Sequence, residues 1–382
     1  MRNKKIIRAV TVSRSIGFYK PIVKDLQDKG FDVVSLSSPG QELLELKEMG
    51  VKVLTVPMER HISLFRDIKA LIKIIIVFKE ENPYIVHSMT PKAGLLCMVA
   101  SWICRVPIRV HTFTGLVWPT TSGLRKKILM MTDWVTCICA THILPEGKGV
   151  MADLQNHITK KPMKVLGYGN VRGIDMIRFS MRPEIITSKQ IIKNREVFIF
   201  LFVGRIVGDK GINELVEAFR ELLFIRPDVR LILVGQEEKK LDPISSATKE
   251  IIIKTKEIET VGPKYGDDLV SYYAASNCFV FPSYREGFPN TVLEAGAMNL
   301  PCIVTDINGS REIIINGKNG IIIPSKDKDA LFEAMRYMVE NKSEYSTMVS
   351  NARQMIESRF EQGFVRKCLL NYYDEIMKPQ YV

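Results

Sequence analysis

In Cys278-Phe279-Val280-Phe281-Pro282-Ser283-Tyr284-Arg285-Glu286-Gly287-Phe288-Pro289-Asn290-Thr291-Val292-Leu293-Glu294-Ala295, four apolar residues are followed by a polar turn and then a helix start. An apolar run without alternation reads as a strand buried on both faces, the kind found in parallel sheets. Pro282 ends it, and Pro289, at a first helical position, opens the helix. This is a turn at the carboxyl end of a parallel strand, the edge outside which open α/β sheets bind ligands. The backbone N–H groups of Asn290, Thr291 and Val292 stand at the helix start, ready for an oxyanion. Glu286 precedes the helix and Glu294 lies just over one turn into it. A carboxylate accepts two hydroxyl hydrogens, so both suit sugar or ribose diols. Taken alone, a surface acid and an early-helix glutamate favoured by the helix dipole would look the same.

A second turn of this kind stands upstream. A strand over residues 197–203 runs into Gly204-Arg205-Ile206-Val207-Gly208-Asp209-Lys210-Gly211 and then a helix. Two cations flank a glycine-bearing turn, which sets positive charge where a phosphate meets a helix N-terminus. The segment is not G-x-x-x-x-G-K-[ST], since Asp209 follows Gly208, and it is not G-x-G-x-x-G. A solvated basic turn is the alternative.

Strand and helix patterns alternate along the whole chain. Residues 6–12, 32–36, 52–56, 85–89 and 108–112 read as strands, with helices at 21–29, 41–49, 64–79 and 92–104. A second series has strands at 197–203, 230–234, 278–281, 302–305 and 320–323. Its helices fall at 210–223, 267–275, 291–298, 327–340 and 343–357, with a last one near 364–377. Residues 182–195, poor in large core side chains, read as a linker. The expected fold is α/β, with two doubly wound, Rossmann-like domains facing across a cleft. The expected domains are 1–185 and 186–360, with a helical segment 361–382 packing back toward the first.

Taken in order, Gly204-Arg205, Lys210-Gly211, Pro282-Ser283, then Glu286 and Glu294 in E-x7-E spacing resemble the retaining family-4 glycosyltransferases of GT-B fold. Asp306-Ile307-Asn308-Gly309, Glu312 and Gly317…Gly320 follow at the family's usual places. The resemblance spans nearly the whole chain and is sharpest from Gly204 to Gly320. It implies that the second domain binds a nucleotide-diphosphate sugar, expected to be a UDP-sugar, as substrate. By position, Arg205 and Lys210 would neutralise the diphosphate, Glu294 would hold the ribose and Glu286 a hydroxyl of the donor sugar. Gly204 and the backbone at Phe288, Pro289, Asn290, Thr291 and Val292 would line the sugar and distal phosphate, and the base would lie near Gly262-Pro263-Lys264. Negative charge growing on the departing phosphate is stabilised by fixed cations and a helix start, so the resemblance implies no metal and no other cofactor.

In the first domain, Ser13-Arg14-Ser15-Ile16-Gly17-Phe18 matches a family loop against the donor phosphates, with Gly17 as its one glycine; a plain turn is the alternative. Ile85-Val86-His87-Ser88-Met89-Thr90-Pro91-Lys92-Ala93-Gly94 matches a cleft-facing turn, with Lys92 placed for anionic acceptor groups or merely solvated. Arg109-Val110-His111-Thr112-Phe113-Thr114-Gly115 departs from the family, which commonly carries His before the glycine; here that position is Thr114, and His111 lies three earlier. Acceptor-side roles fall to Thr114 and His111, the latter alternatively a core histidine. The H-T-F-T-G form resembles a bacterial surface-polysaccharide subgroup, whose acceptors are glycans on polyprenyl diphosphate. Gly167-Tyr168-Gly169-Asn170, with Asp175 and Phe179, resembles the family's domain junction.

Charge is divided unevenly over the 382 residues. Residues 1–190 hold 29 Lys and Arg against 15 Asp and Glu, whereas residues 191–382 hold 25 against 27, for a net charge of +12. A basic half fits an anionic partner. The resemblance makes that partner the inner face of an anionic membrane, with Arg125-Lys126-Lys127 and the basic helix 66–79 as candidate contacts. Against this, Leu64, Ile68, Leu71 and Ile75 form a stripe that a core helix also needs. No helix-turn-helix, zinc-finger or RNP pattern supports a nucleic-acid partner. A GT-B nucleotide-sugar epimerase is the nearest rival enzyme, and it gives no reason for E-x7-E. The seven cysteines, at 97, 104, 137, 139, 278, 302 and 368, form no C-x-x-C pair and read as buried thiols. No signal peptide and no 18-residue uncharged apolar run is visible, so a cytoplasmic, at most peripheral protein is expected.

Overall fold

The computed structural model describes residues 4–59, 61, 63–192, 197–238 and 242–378. They form two compact units, one running to Gly173 and resuming at Gly363, the other Ile174–Gln362. The division falls at Gly173/Ile174, and residue 185 lies within the second unit, inside the helix Pro183–Ile192.

The first unit is built on a parallel sheet of β1 (Lys5–Ala9), β2 (Asp32–Ser37), β3 (Lys52–Thr55), β4 (Ile85–Met89), β5 (Ile108–Phe113) and β6 (His142–Pro145), in the order β3-β2-β1-β4-β5-β6. β4 is buried at every position, as a central strand covered on both faces must be. One core lies with Val23–Asp28, Leu43–Glu48 and Leu369 and Tyr373 of the C-terminal helix Gln362–Ile376. The other lies under Leu64–Glu81, Pro91–Ile103 and Gly123–Cys139.

The expected core stripe of Leu64–Glu81 needs correction. Ala70, Ile74 and Phe78, spaced every four residues, enter the core, and Leu71 and Ile75 are half-buried. Leu64 and Ile68 are exposed. β6 contains His142 and Pro145 and has only four residues, so no periodicity marks it in the sequence.

The second unit repeats the plan with β7 (Phe198–Val203), β8 (Val229–Val234), β9 (Ile258–Gly262), β10 (Cys278–Phe281), β11 (Cys302–Thr305) and β12 (Gly320–Ile323), in the order β12-β11-β10-β7-β8-β9. All neighbours are parallel. Residues 183–192, expected as linker, are helical. Pro183 starts the helix, Ile185 is fully buried where it packs on the helix Gly266–Ala275, and Arg182 bonds Asp267 at 2.6 Å. One well-placed isoleucine and an ion pair suffice where a run of large side chains is missing.

In each sheet the strand order reverses once, between β1 and β4 and between β7 and β10. A crevice opens at such a point beyond the carboxyl ends of the strands. Among the described residues, no helix is long and apolar enough to cross a membrane.

Candidate active site

The β7/β10 reversal brings the two turns singled out above together. β7 leads into Gly204–Lys210 and β10 into Pro282–Pro289, and the two strands pair through Cys278↔Phe200 and Phe279↔Leu201. The turns are bound to each other: Tyr284 N–H donates to Asp209 O at 2.9 Å, and Arg285 Nη2 lies 3.2 Å from Asp209 Oδ2. Gly211 makes this approach possible. Its φ is +70°, and a Cβ there would lie 2.2 Å from the Pro282 carbonyl oxygen.

Lys210 and Glu286, 76 residues apart in sequence, form an ion pair here with little solvent exposure. Ser283 Oγ lies 3.0 Å from the same Glu286 oxygen and 3.5 Å from Lys210 Nζ. Lys210 Nζ also sits 5.5 Å from the centroid of the Phe281 ring, a cation–π contact. Arg205, half-exposed, pairs with Glu238 at 3.1 Å. Each cation therefore has a carboxylate partner.

Glu294 lies within the helix Asn290–Ala297 and is buried, accepting from Tyr273 Oη at 3.0 Å. Burial, then the nearby Glu294 charge, pushes the Tyr273 phenol well above its ordinary value, so it stays a donor. The helix begins at Asn290 with Pro289 as cap (φ −74°, ψ 106°), between the expected first helical position at Pro289 and the expected span 291–298. Val292 N–H is engaged by Pro289 O at 3.2 Å, which corrects its expected availability to an anion. Phe288 is buried and packs edge-on to Phe360. Gly309 (φ +75°) closes over this loop: a Cβ there would meet Gly287 O at 2.4 Å and Phe288 Cα at 2.7 Å. Tyr273 has no local signal in the sequence, since a tyrosine in an apolar helical run reads simply as core.

A cavity of about 400 Å³ opens beside β8 and β9, lined by Ile206, Gly235, Gln236, Thr260, Gly262 and Pro263 among others. Gly235 holds its floor against β7, because a Cβ there would overlap the Gly204 carbonyl oxygen at 1.7 Å.

The first-unit candidates behave differently. Lys92, which the sequence left open to acceptor anions, is largely buried, 2.5 Å from Asp67 Oδ2 and 2.8 Å from His61 O. His111 is a core residue, with Nδ1 2.9 Å from Ser88 Oγ, the ring edge-on to Phe113, and Gly94 leaving room for it. Burial lowers its pKa to about 3, so it is neutral. Gly17 lies in a short 3-10 turn, Ser13–Phe18, with open space where a Cβ would stand, so no crowding demands glycine. Thr114, just past β5, is half-buried. Asn170 takes φ +60°, and its side chain accepts from the N–H groups of Arg172 and Gly173 at 3.0 and 2.6 Å. Among the described residues, no group of three or more His, Cys, Asp or Glu side chains is arranged to hold a metal ion.

Residues 184–355 match the family model of glycosyl transferases group 1, and residues 20–159 that of a glycosyl transferase 4-like domain. The chain is 32% identical over 382 residues to a capsular polysaccharide biosynthesis glycosyltransferase of Staphylococcus aureus, covering 99% of each. It is 28% identical over 348 residues to the UDP-Gal:alpha-D-GlcNAc-diphosphoundecaprenol alpha-1,3-galactosyltransferase of Escherichia coli, covering 88% of this chain and 87% of that one. In fold it is similar to an Anabaena protein crystallised with UDP, at a TM-score of 0.80 and 17% identity, over 97% of this chain and 100% of the other.

Proposed function

We propose, from the premise that this chain belongs to the group 1 glycosyl transferases and has their two-unit GT-B fold, that it moves a sugar from a UDP-sugar to a lipid-diphosphate-linked glycan, with retention at the anomeric carbon. The observation that carries the reading is the Lys210–Ser283–Glu286 cluster at the strand-order reversal of the second sheet. It joins a cation suited to a diphosphate to a carboxylate suited to a sugar hydroxyl within one contact. The relatives' names supply the substrate classes: capsular polysaccharide biosynthesis in one, a UDP-sugar and a diphosphoundecaprenol-linked acceptor in the other.

In this reading, Lys210 and Arg205 face the two phosphates, and Glu286 turns from Lys210 to a hydroxyl of the donor sugar. Glu294, oriented by Tyr273, holds the ribose. Gly204 and the loop Phe288–Val292 line the donor, and the base enters the cavity beside Pro263. The bond from C1 to the distal phosphate oxygen breaks as the acceptor oxygen bonds C1 from the same face. The acceptor proton passes to the departing phosphate, whose charge the two cations stabilise most at the transition state. Glu286 and Glu294 act as binders, not as the acid and nucleophile of a hydrolase. Charge compensation rests on side chains, so transfer insensitive to chelators is expected. Thr114 and the β4 turn are assigned to the acceptor side, with peripheral contact to the inner face of an anionic membrane where such acceptors reside.

Calorimetric titration with UDP- and GDP-sugars tests the reading. Saturable binding of a UDP-sugar that Lys210→Ala weakens supports it, and binding of no nucleotide sugar overturns it. Transfer of label from donor to a diphosphate-linked lipid acceptor separates transfer from epimerisation, which needs no acceptor.

A further inference from the structure

The cavity of about 400 Å³ beside β8 and β9 has the walls of a slot for a flat ring. Ile206, Ile244 and Ile252 make it apolar, and Gly235 and Gly262 put no side chain into it. Two charged side chains, Glu237 and Lys249, line it as well.

Both are held by the backbone around them. Glu237 follows β8 and forms a parallel bridge with Ile206, whose N–H donates to Gln236 O at 2.9 Å. The next residue, Glu238, turns instead to Arg205. Lys249 lies in the helix Ser246–Lys254, whose start is pinned twice. Ser245 Oγ accepts from Thr248 N–H at 3.0 Å. Asn213 Oδ1 accepts from Ser245 N–H at 3.0 Å and from the hydroxyl of the buried Thr248 at 2.7 Å. The stem of Lys249, one residue on, therefore starts from a fixed place on a rigid element.

The two side chains meet as an ion pair at 2.8 Å, half-buried on both sides. Glu237 Oε1, the atom facing Lys249, is shut from solvent and accepts no aligned hydrogen bond among the described residues. An orphaned carboxylate oxygen on a cavity wall calls for a donor. An ionised carboxylate only accepts and an ammonium only donates, and after pairing each keeps capacity to spare, lone pairs on one and protons on the other. The pair is thus a fixed acceptor beside a fixed donor. Gln236, which also lines the cavity, carries both in one amide and imposes no such pattern.

We infer that Glu237 and Lys249 read the edge of the nucleobase, Glu237 accepting from a ring N–H and Lys249 donating to the neighbouring carbonyl. The inference rests on the UDP-sugar reading above and names the residues that select the base. Uracil carries N3–H beside O4 and matches. Cytosine carries a bare N3 beside an amino group, so one contact sets acceptor against acceptor and the other donor against donor. Guanine has the same N–H beside a carbonyl as uracil, so the pair does not separate those two bases from each other; it separates both from cytosine and adenine.

Binding of UDP and CDP to the full chain, compared by calorimetry, tests this. The two nucleotides share ribose, diphosphate and ring size, so the ratio of their affinities reports the base edge and cancels every phosphate contact. The wild-type ratio is expected to favour UDP by about 10- to 100-fold, the worth of a two-point base contact. Glu237→Gln, whose amide turns to suit either base, is expected to bring the ratio close to one. The exchange Glu237→Lys/Lys249→Glu, which puts a donor where the acceptor stood, is expected to favour CDP. UDP methylated at N3 has no hydrogen to give, and the unsubstituted chain is expected to bind it roughly ten-fold or more weakly than UDP. A wild-type ratio near one, a ratio that both variants leave unchanged, or methylated UDP bound as tightly as UDP overturns the inference. Equal loss of UDP and CDP affinity in Glu237→Gln also overturns it, by giving the pair a part in charge or folding and none in choice. Binding of neither nucleotide by the wild-type chain overturns the proposed function as well, whereas equal binding of both leaves that function standing.

Discussion

At the carboxyl end of the first sheet's reversal, Thr11 Oγ1 meets Thr90 Oγ1 at 2.8 Å and accepts from Ala93 N–H at 3.1 Å. At the same place in the second sheet, Lys210 meets Glu286. The topology is the same in both, and the chemistry is opposite. In the first unit the titratable groups lie deeper, buried and mutually engaged: Arg8 donates to Tyr373, and His87 spans Tyr373 Oη at 2.6 Å and Thr112 Oγ1 at 2.7 Å. In the second they lie at the turns, partly exposed and exchangeable. A strand-order reversal offers a place for a ligand, and only the side chains at the turns decide whether charge is available there.

The sharpest way to break this contrast is to remove the exchangeable cation. Lys210→Ala is expected to lower turnover by about 10²–10³ with the fold intact, and Arg205→Ala to act in the same direction, in an assay of sugar transfer alongside circular dichroism. His111→Asn is expected to leave the donor affinity untouched. Near-normal turnover in both cation variants would erase the difference between the two turns.

The second test is acid. Burial, followed for His87 by the charge of Arg8, lowers both histidines in the folded state, His87 well below its ordinary value and His111 to about 3. Unfolded, they titrate near 6.5, so the unfolded chain binds more protons below that pH. Their contribution is whole above about pH 6.5 and is lost as pH falls below it, for His111 down to about 3, by up to about 1.4 kcal/mol per pH unit for each. Urea midpoints at pH 7 and 5 are expected to fall, and His111→Asn to flatten the fall. A midpoint equal at the two pH values would show that neither ring is held neutral.

A smaller effect is expected at Tyr273→Phe, which removes one donor from a buried carboxylate. A hydrogen bond to a charged group contributes about 1.5–3 kcal/mol, so UDP affinity is expected to weaken by roughly ten-fold, while affinity for free sugar stays. Smallest is Gly17→Ala, expected to change stability by less than about 0.5 kcal/mol because nothing crowds its Cβ. Gly94→Ala, whose Cβ would lie 2.3 Å from the His111 ring, costs about 1–3 kcal/mol.

Legibility in the sequence followed local pattern and not the division into units. β10, β11 and β12, and β4 in the first unit, have the bounds read from the chain, since buried parallel strands are short runs bounded by turn residues. β6, with a histidine and a proline in four residues, had no such pattern. The helix Pro183–Ile192 was hidden because a single isoleucine anchors it, and the outward row of Leu64–Glu81 because periodicity shows that a stripe exists, not which of two stripes faces in. The two turns of the second unit were visible as local patterns of glycine, charge and proline. Their meeting was not, since the Lys210–Glu286 contact is made by strand order and not by anything near either residue. Tyr273 was invisible for the same reason.

Lys210 and Glu286 satisfy each other, so a molecule that engages only one of them strands the other in a crevice with little water. On the proposed function, a nucleoside diphosphate alone would take the lysine and leave the acid with Ser283 only, and a free sugar would do the reverse. Only a molecule that carries phosphate and hydroxyl in one piece compensates both. On the proposed reaction, once the sugar has left, Glu286 would compete with the remaining diphosphate for Lys210, and the spent nucleotide would be held less firmly than the donor that brought it.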